Sequence, residues 1–196
     1  MPAPPPSSDP GPLSDAPVAP SPAGRLIRSA RPADGAGCAA VYAPYVTGTA
    51  VTFELEPPDA AEMTARIAAA QRRHAWLVLE QDGEVRGYAY AGPFKAREAY
   101  RFACEASVYL APPAQGSGAG RALYEVLFAR LRQRGLRTVA AGMTLPNEAS
   151  ARLHHALGFV PVGTWRRVGW KLGAWHDVAW SQLDLYPSGG APTELR

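Results

Sequence analysis

The stretch Ser107-Val-Tyr-Leu-Ala-Pro-Pro-Ala-Gln115-Gly-Ser-Gly118-Ala-Gly120-Arg121-Ala-Leu123 decides how the chain is read. Its first residues read as the end of a strand closing near Leu110. A glycine-rich loop follows and feeds directly into a helical pattern, Ala119 to Arg134, with Leu123, Leu127 and Leu131 on one stripe. The first backbone amides of a helix lack intrahelical acceptors and carry the positive end of its dipole. Glycines let a phosphate approach those amides closely. Strand, glycine loop and helix in that order predict an anion site, suited to a diphosphate. A plain glycine-rich turn before a helix would give the same local pattern.

Two common diphosphate loops do not fit. No Gly-Lys-Ser/Thr follows, as a Walker loop requires. Gly116, Gly118 and Gly120 are spaced Gly-x-Gly-x-Gly, not Gly-x-Gly-x-x-Gly. What stands is Gln-x-x-Gly-x-Gly.

Outward from this segment, the elements alternate irregularly between strand and helix. Leu26–Arg28 reads as a short strand and Asp34–Tyr45 as a helix. Asp59 caps a second helix whose Met63, Ile67 and Ala70 share a face. Ala75–Glu80 and Glu84–Ala91 flank the Asp82-Gly83 turn of a hairpin. Tyr100–Leu110 reads as one strand, Thr138–Met143 as a short buried one. Asn147–Leu157 is a helix closed by Gly158. Phe159–Trp170 and His176–Leu185 form a last hairpin around Lys171–Trp175. This order predicts an α/β fold, with a central mixed sheet and helices on both sides.

A length of 196 residues suits one domain with a core. Residues 1–24 carry nine prolines and almost no bulky aliphatics, so they are expected to be a disordered tail. The folded domain is expected over 25–186, with a second short tail over 187–196. Of the 20 cationic residues only Lys95 and Lys171 are lysines, and the net charge is +3. No basic run is interleaved with aromatics, so no nucleic-acid partner is expected. No apolar stretch is long enough to span a membrane, and no signal peptide is read, so a cytoplasmic protein is expected. Cys38 and Cys104 sit in no Cys/His cluster. They are read as two buried thiols, and no metal is expected.

Gln115-x-x-Gly118-x-Gly120 after a strand resembles the acetyl-CoA loop of the GCN5-related N-acetyltransferase (GNAT) superfamily. Asn147-Glu-Ala-Ser-Ala-Arg-Leu-His154-His-Ala-Leu-Gly158-Phe159 resembles its Asn-x-x-Ala…Leu-Gly-Phe helix. The segments Trp76–Glu80, Tyr88–Tyr100, Glu105–Leu110 and Gly173–Asp184 are similar to the branch that acetylates phosphinothricin, methionine sulfone and methionine sulfoximine. The resemblance covers roughly residues 26–186. It implies a mostly antiparallel sheet of about seven strands flanked by about four helices. It also implies acetyl-CoA as cosubstrate, a small-molecule amine as acceptor, and a homodimer.

The resemblance further implies roles. Glu105 matches the general base that takes a proton from the incoming ammonium. A carboxylate within the apolar run Phe102-Ala103-Cys104 is itself unusual, although Glu105 on a solvated strand face is the alternative. His154 stands where many relatives have a tyrosine that protonates the leaving thiolate. His154 as a plain helix-face residue is the alternative. Asn147 and the backbone of Val108, Tyr109 and Leu110 would hold the pantetheine arm. Gln115, Gly116, Ser117, Gly118, Ala119, Gly120 and Arg121 would hold the diphosphate, with Arg121 either a phosphate contact or a helix residue. Lys95 and Arg97, flanked by Phe94 and Tyr100, suit an anionic substrate group, against a solvated charged loop. Thr52 and Phe53 match a further lining segment, with Thr where that branch has Asn. Trp175-His176-Asp177 falls near the expected dimer interface. The tryptophans of the last hairpin are read as packing. Competing functions are acetylation of a polyamine or protein N-terminus, a non-catalytic acetyl-CoA sensor, and a nucleotide-binding module.

Overall fold

The structure of the protein is a computed structural model, which describes residues 24–186, 190–192 and 195. The expected tails over 1–24 and 187–196 lie outside the described residues, apart from 24, 190–192 and 195.

Seven strands form one sheet in the order β1-β2-β3-β4-β5-β7-β6. They are β1 (Arg25–Ser29), β2 (Trp76–Gln81), β3 (Glu84–Pro93), β4 (Ala103–Leu110), β5 (Thr138–Thr144), β6 (Val160–Lys171) and β7 (Ala174–Asp184). Every neighbouring pair is antiparallel except β4–β5, which is parallel. The helices are α1 (Gly35–Gly48), α2 (Ala60–Gln71), α3 (Ala119–Gln133) and α4 (Glu148–Ala156).

Each face of the sheet has its own core. On one, Leu123, Leu127 and Leu131 of α3 are fully buried against Leu77, Ala89, Cys104 and Val139. On the other, Tyr42 and Val46 of α1 and Met63 and Ile67 of α2 cover Trp76, Val78 and Tyr88. Side chains alternate along a strand. Cys104 and Ala106 of β4 pack with α3. Glu105 and Ser107 therefore lie on the α1/α2 face, where Tyr109 packs. Truncating any of the three α3 leucines to Ala would cost about 2–5 kcal/mol.

Local chemistry sets most element ends. The Asp59 carboxylate accepts Glu62 N at 2.8 Å and starts α2. Asn147 does the same for α4, accepting Ser150 N at 3.0 Å. Asp82 and Gly83 both take positive φ (54° and 78°), the twist that a two-residue hairpin turn needs.

One expected element is shorter. Tyr100, Arg101 and Phe102 do not belong to the strand, which begins at Ala103. Glu98–Tyr100 is a 3-10 turn in which Tyr100 N donates to Arg97 O at 2.9 Å and Arg101 N to Glu98 O at 3.0 Å. Apolar alternation ran on through a turn whose hydrogen bonds are local. The last hairpin also departs from expectation. Trp180 packs beside Phe94, but Trp165, Trp170 and Trp175 are more than half exposed. Trp165 and Trp170 lie on β6, the free edge of the sheet, and Trp175 on β7 beyond its last pair with β5, where it meets only the Trp170 ring among the ring contacts of the described residues.

Candidate active site

The parallel pairing of β4 with β5 covers only three positions, ending at Glu105↔Ala140. Strand β4 then runs on to Leu110 beside β3 alone, while β5 follows β7. A gap opens between them. Ala111 N donates to Arg86 O, which fixes the phase of the β3–β4 ladder. By that phase Ala106, Val108 and Leu110 turn their backbone N–H and C=O groups into the gap. An extended ligand bearing amides can pair there as a strand would. Part of this edge is occupied: Leu110 O accepts from Tyr45 Oη at 2.7 Å and from Gln115 Nε2 at 3.2 Å.

At the far end of the gap lies the glycine loop. Gly116 and Gly118 take φ of 68° and 79°, a region where side chains are strained. Gly118 is the N-cap of α3, and no side chain caps the helix. The first amides of α3 (Ala119, Gly120, Arg121) are thus open to an anion. Ser117 Oγ bonds Ala114 O at 2.6 Å, and Arg25 Nη1 reaches Ser117 O at 3.4 Å. Two expected diphosphate residues point elsewhere. Gln115 turns inward to Tyr45 and Leu110, and Arg121 pairs with Glu125 at 2.8 Å. Both would have to swing to meet an anion. Tyr109 turns its ring against Tyr42 and Tyr45.

Glu105 is half-buried at the root of the gap. Burial pushes its carboxyl above the usual glutamate range, and the nearby Lys95 ammonium works against that rise. Lys95 Nζ also stands 5.2 Å from the centre of the Phe94 ring. Phe94 in turn meets Tyr100 edge-on at 5.9 Å and Trp180 at 6.4 Å. Arg97 is exposed at the start of the 3-10 turn. Glu105, Lys95, Phe94 and Tyr100 thus form one neighbourhood, with Arg97 at its rim.

His154 is 5% exposed, and burial holds its pKa below the usual value. Its Nδ1 lies 2.8 Å from Ser150 O, so the proton sits on Nδ1 and Nε2 is the acceptor. Nε2 faces Tyr124 Oη at 3.5 Å, and the same hydroxyl is 3.5 Å from Ala106 O in the gap. The sequence singled out His154 but not Tyr124, which stands next to Leu123 of the α3 stripe and falls in no motif. Asn147 spends its carbonyl on the α4 cap, which leaves its amide as a donor.

Thr52 and Phe53 sit in the loop over 49–59, which crosses toward the end of β6. Around them is a polar cluster that sequence reading missed. Tyr42 Oη bonds both Thr52 Oγ1 and Glu54, and Arg66 grips Glu54 through two bonds of 2.7 and 2.9 Å. Tyr90 of β3 senses both Glu105 and Glu54, which ties this cluster to the base of the gap. None of these residues falls in a motif. The signal for Tyr88 and Tyr90 is their alternation in β3.

A separate cavity of about 490 Å³ opens between β1 and the C-terminal ends of α2 and α3, lined by Arg28, Arg31, Arg130 and Arg134. It holds none of the residues above. Arg134 Nη1 donates to Gln71 O at 2.9 Å there, as a cation at a helix C-terminus does. The chemistry concentrates at the β4–β5 gap instead. Among the described residues no group of three or more His, Cys, Asp and Glu could hold a metal, and no helix is long and apolar enough to cross a membrane.

Comparison with known proteins bears on this geometry. The model of the acetyltransferase (GNAT) family matches residues 41–159. A phosphinothricin N-acetyltransferase of Streptomyces viridochromogenes is 41% identical over 159 residues, covering 81% of this chain and 87% of that protein. An L-methionine sulfoximine/L-methionine sulfone acetyltransferase of Pseudomonas paraeruginosa is 36% identical over 168 residues, covering 85% and 98%. A solved GNAT phosphinothricin acetyltransferase from Sinorhizobium meliloti, in complex with acetyl-CoA, superposes with a TM-score of 0.82 at 36% identity, covering 87% of this chain and 94% of that one.

Proposed function

The chain belongs to the GNAT acetyltransferase family, and from that premise we propose that it moves the acetyl group of acetyl-CoA to the amino group of a small acidic amino-acid analogue, of the phosphinothricin, methionine sulfoximine or methionine sulfone type, with Glu105 as general base. The observation that carries this reading is Glu105 itself: a carboxylate raised by burial, at the root of the strand gap, with Lys95 close by. The names of the relatives support the substrate class.

The pantetheine arm lies along β4 in the gap, paired with the backbone of Val108 and helped by the Asn147 amide. Its diphosphate meets the open amides of α3. The substrate enters on the α1/α2 face, between the Phe94–Tyr100 turn and the Thr52–Phe53 loop. Lys95 and Arg97 bind its anionic groups. Glu105 takes a proton from the ammonium, directly or through a water. The freed amine attacks the thioester carbonyl, the C–N bond forms, and the C–S bond breaks. As the C–S bond breaks the new amide nitrogen sheds its second proton, and the departing thiolate takes one from the Tyr124 hydroxyl beside His154, which that second proton restores. Nδ1–H of His154 is held by Ser150 O, so the Tyr124 hydroxyl is the O–H donor at that end.

The protein works as a homodimer in the cytoplasm. Val160, Val162, Trp165, Trp170, Leu172 and Trp175 present 57–64% of their surface along β6 and its hairpin, more apolar surface than a monomer leaves open. A second copy covers it. Replacing Trp165 and Trp175 with Lys should give a folded monomer by light scattering, and a wild-type monomer would refute the assignment.

The test of function is thiol release from acetyl-CoA with phosphinothricin, methionine sulfoximine, methionine sulfone, spermidine and an alanine-initiated peptide. Turnover of the first three alone supports the reading. Turnover of spermidine or peptide alone discards the substrate class and keeps the reaction. No turnover of any amine, with acetyl-CoA still bound, would leave only a sensor.

A further inference from the structure

Lys95 and Lys171 are the only lysines in a chain of 20 cationic residues. Lys95 already has a role. Lys171 ends β6, yet it is only 4% exposed. Its Nζ donates to Thr52 O at 2.7 Å, across 119 positions of sequence. Two residues earlier the tip of the Phe53 ring fills the space beside Gly169, where an added Cβ would collide with Phe53 Cζ. His176 closes the far side: its ring is 6.2 Å from that of Phe53, and its Nε2 meets Lys171 O at 2.9 Å. From the helical side Tyr42 and Arg66 hold Thr52 and Glu54.

The loop over 49–59 has no helix or strand of its own, and its apolar Val51 and Leu55 are exposed at 39% and 73%. Such a segment has few contacts to keep it ordered. A buried ammonium is costly unless its donors are used. Here one meets a carbonyl, and the Glu54 carboxylate lies close enough to oppose the burial that lowers the Lys171 pKa.

We propose that Lys171, together with the bare surface of Gly169, is a positioning residue that clamps the 49–59 loop to the β6–β7 hairpin and so sets the placement of Thr52 and Phe53 against the acceptor amine. This rests on the reading of those two residues as substrate lining. The clamp joins the exposed hairpin to the substrate loop, so a disturbance of that hairpin is felt at the amine and not at the coenzyme.

Lys171→Met and Gly169→Ala test it by two routes, because Gly169→Ala keeps the cation and displaces the Phe53 ring. Amide hydrogen exchange over residues 50–55 should quicken in both variants. The KM of the amine should rise about tenfold, with kcat and the KM of acetyl-CoA within about twofold, as expected when one charge-assisted hydrogen bond is lost at the amine side only. A merely structural lysine would lower stability without splitting the two KM values. Hydrogen exchange needs no substrate, so it reads the clamp even if the proposed amine class is wrong. Unchanged exchange in both variants overturns the clamp. Faster exchange with an unchanged amine KM overturns the positioning role. Should Lys171→Met fail to fold, Gly169→Ala alone carries the same outcomes.

Discussion

Glu105→Gln separates chemistry, binding and stability in one variant. The substitution keeps the shape and removes the base. No neighbour can replace it, since Glu54 is held by Arg66 and Tyr42. Loss of a positioned general base costs about 10²–10⁴ in turnover. Glu105 is only half-buried, so water retains some access, and a loss of about 10³ in kcat is expected. Binding of acetyl-CoA should hold within about twofold, because in the proposed site the coenzyme meets the backbone of β4 and not this side chain. Stability should move the other way. Burial raises the folded pKa above the unfolded one, so the ionised carboxylate costs stability once pH has risen through the folded pKa. Below the unfolded value of about 4.3 the cost vanishes. The variant should therefore melt above wild type at pH 8 and level with it at pH 4. Thiol release, acetyl-CoA titration and calorimetry read the three parts. Wild-type turnover would refute the base, and a lower melting point at pH 8 would refute the buried-carboxylate argument.

Lys95→Met removes the charge that opposes the rise of Glu105, so the acidic limb of the kcat/KM profile should move to higher pH; a limb that stays in place would mean that Lys95 does not sense the base. Gly118→Ala meets open space but must hold φ near +79°, a strain of about 1–2 kcal/mol. The affinity for acetyl-CoA should fall about tenfold, with the amine KM unchanged, and unaltered coenzyme affinity would show that the loop amides are not its anchor. His154 and His74 are both held below the usual histidine value by burial. They favour the fold above about pH 6.5, and stability should fall as pH drops from there toward their folded pKa values. His154→Gln should flatten that fall in urea titrations at about pH 7 and about pH 5, and an unchanged slope would mean that His154 is not buried neutral.

The fold and the glycine loop were legible because their signals are local. Asp59, Asp82-Gly83, Asn147 and Gly158 each fix an element end through bonds within a few residues. In the proposed site the glycine loop acts through backbone amides, and its residue types mark it directly. The turn at Glu98–Tyr100 was missed for the converse reason: its backbone hydrogen bonds leave no trace in an alternating apolar pattern.

The polar cluster that holds the Thr52–Phe53 loop was illegible because its contacts span the chain. Thr52 is fixed by Tyr42 from α1 and by Lys171 from the end of β6, and neither spacing is a motif. The exposed tryptophans misled for a related reason. A sequence reports that Trp165, Trp170 and Trp175 will be covered, but not by which chain. Four tryptophans on a hairpin look like core, yet only Trp180 faces inward: it lies where β7 pairs with β5, whereas Trp165 and Trp170 lie on the edge strand β6 and Trp175 on β7 beyond its last pair with β5. An edge strand with that much open apolar surface must meet another surface, since an unpaired edge is otherwise a route to aggregation. The hairpin that needs covering also clamps the substrate loop through Lys171 and Gly169. In the proposed dimer, assembly and amine recognition share one structural element, and a substitution at the hairpin should be judged by the KM of the amine as well as by the mass of the particle.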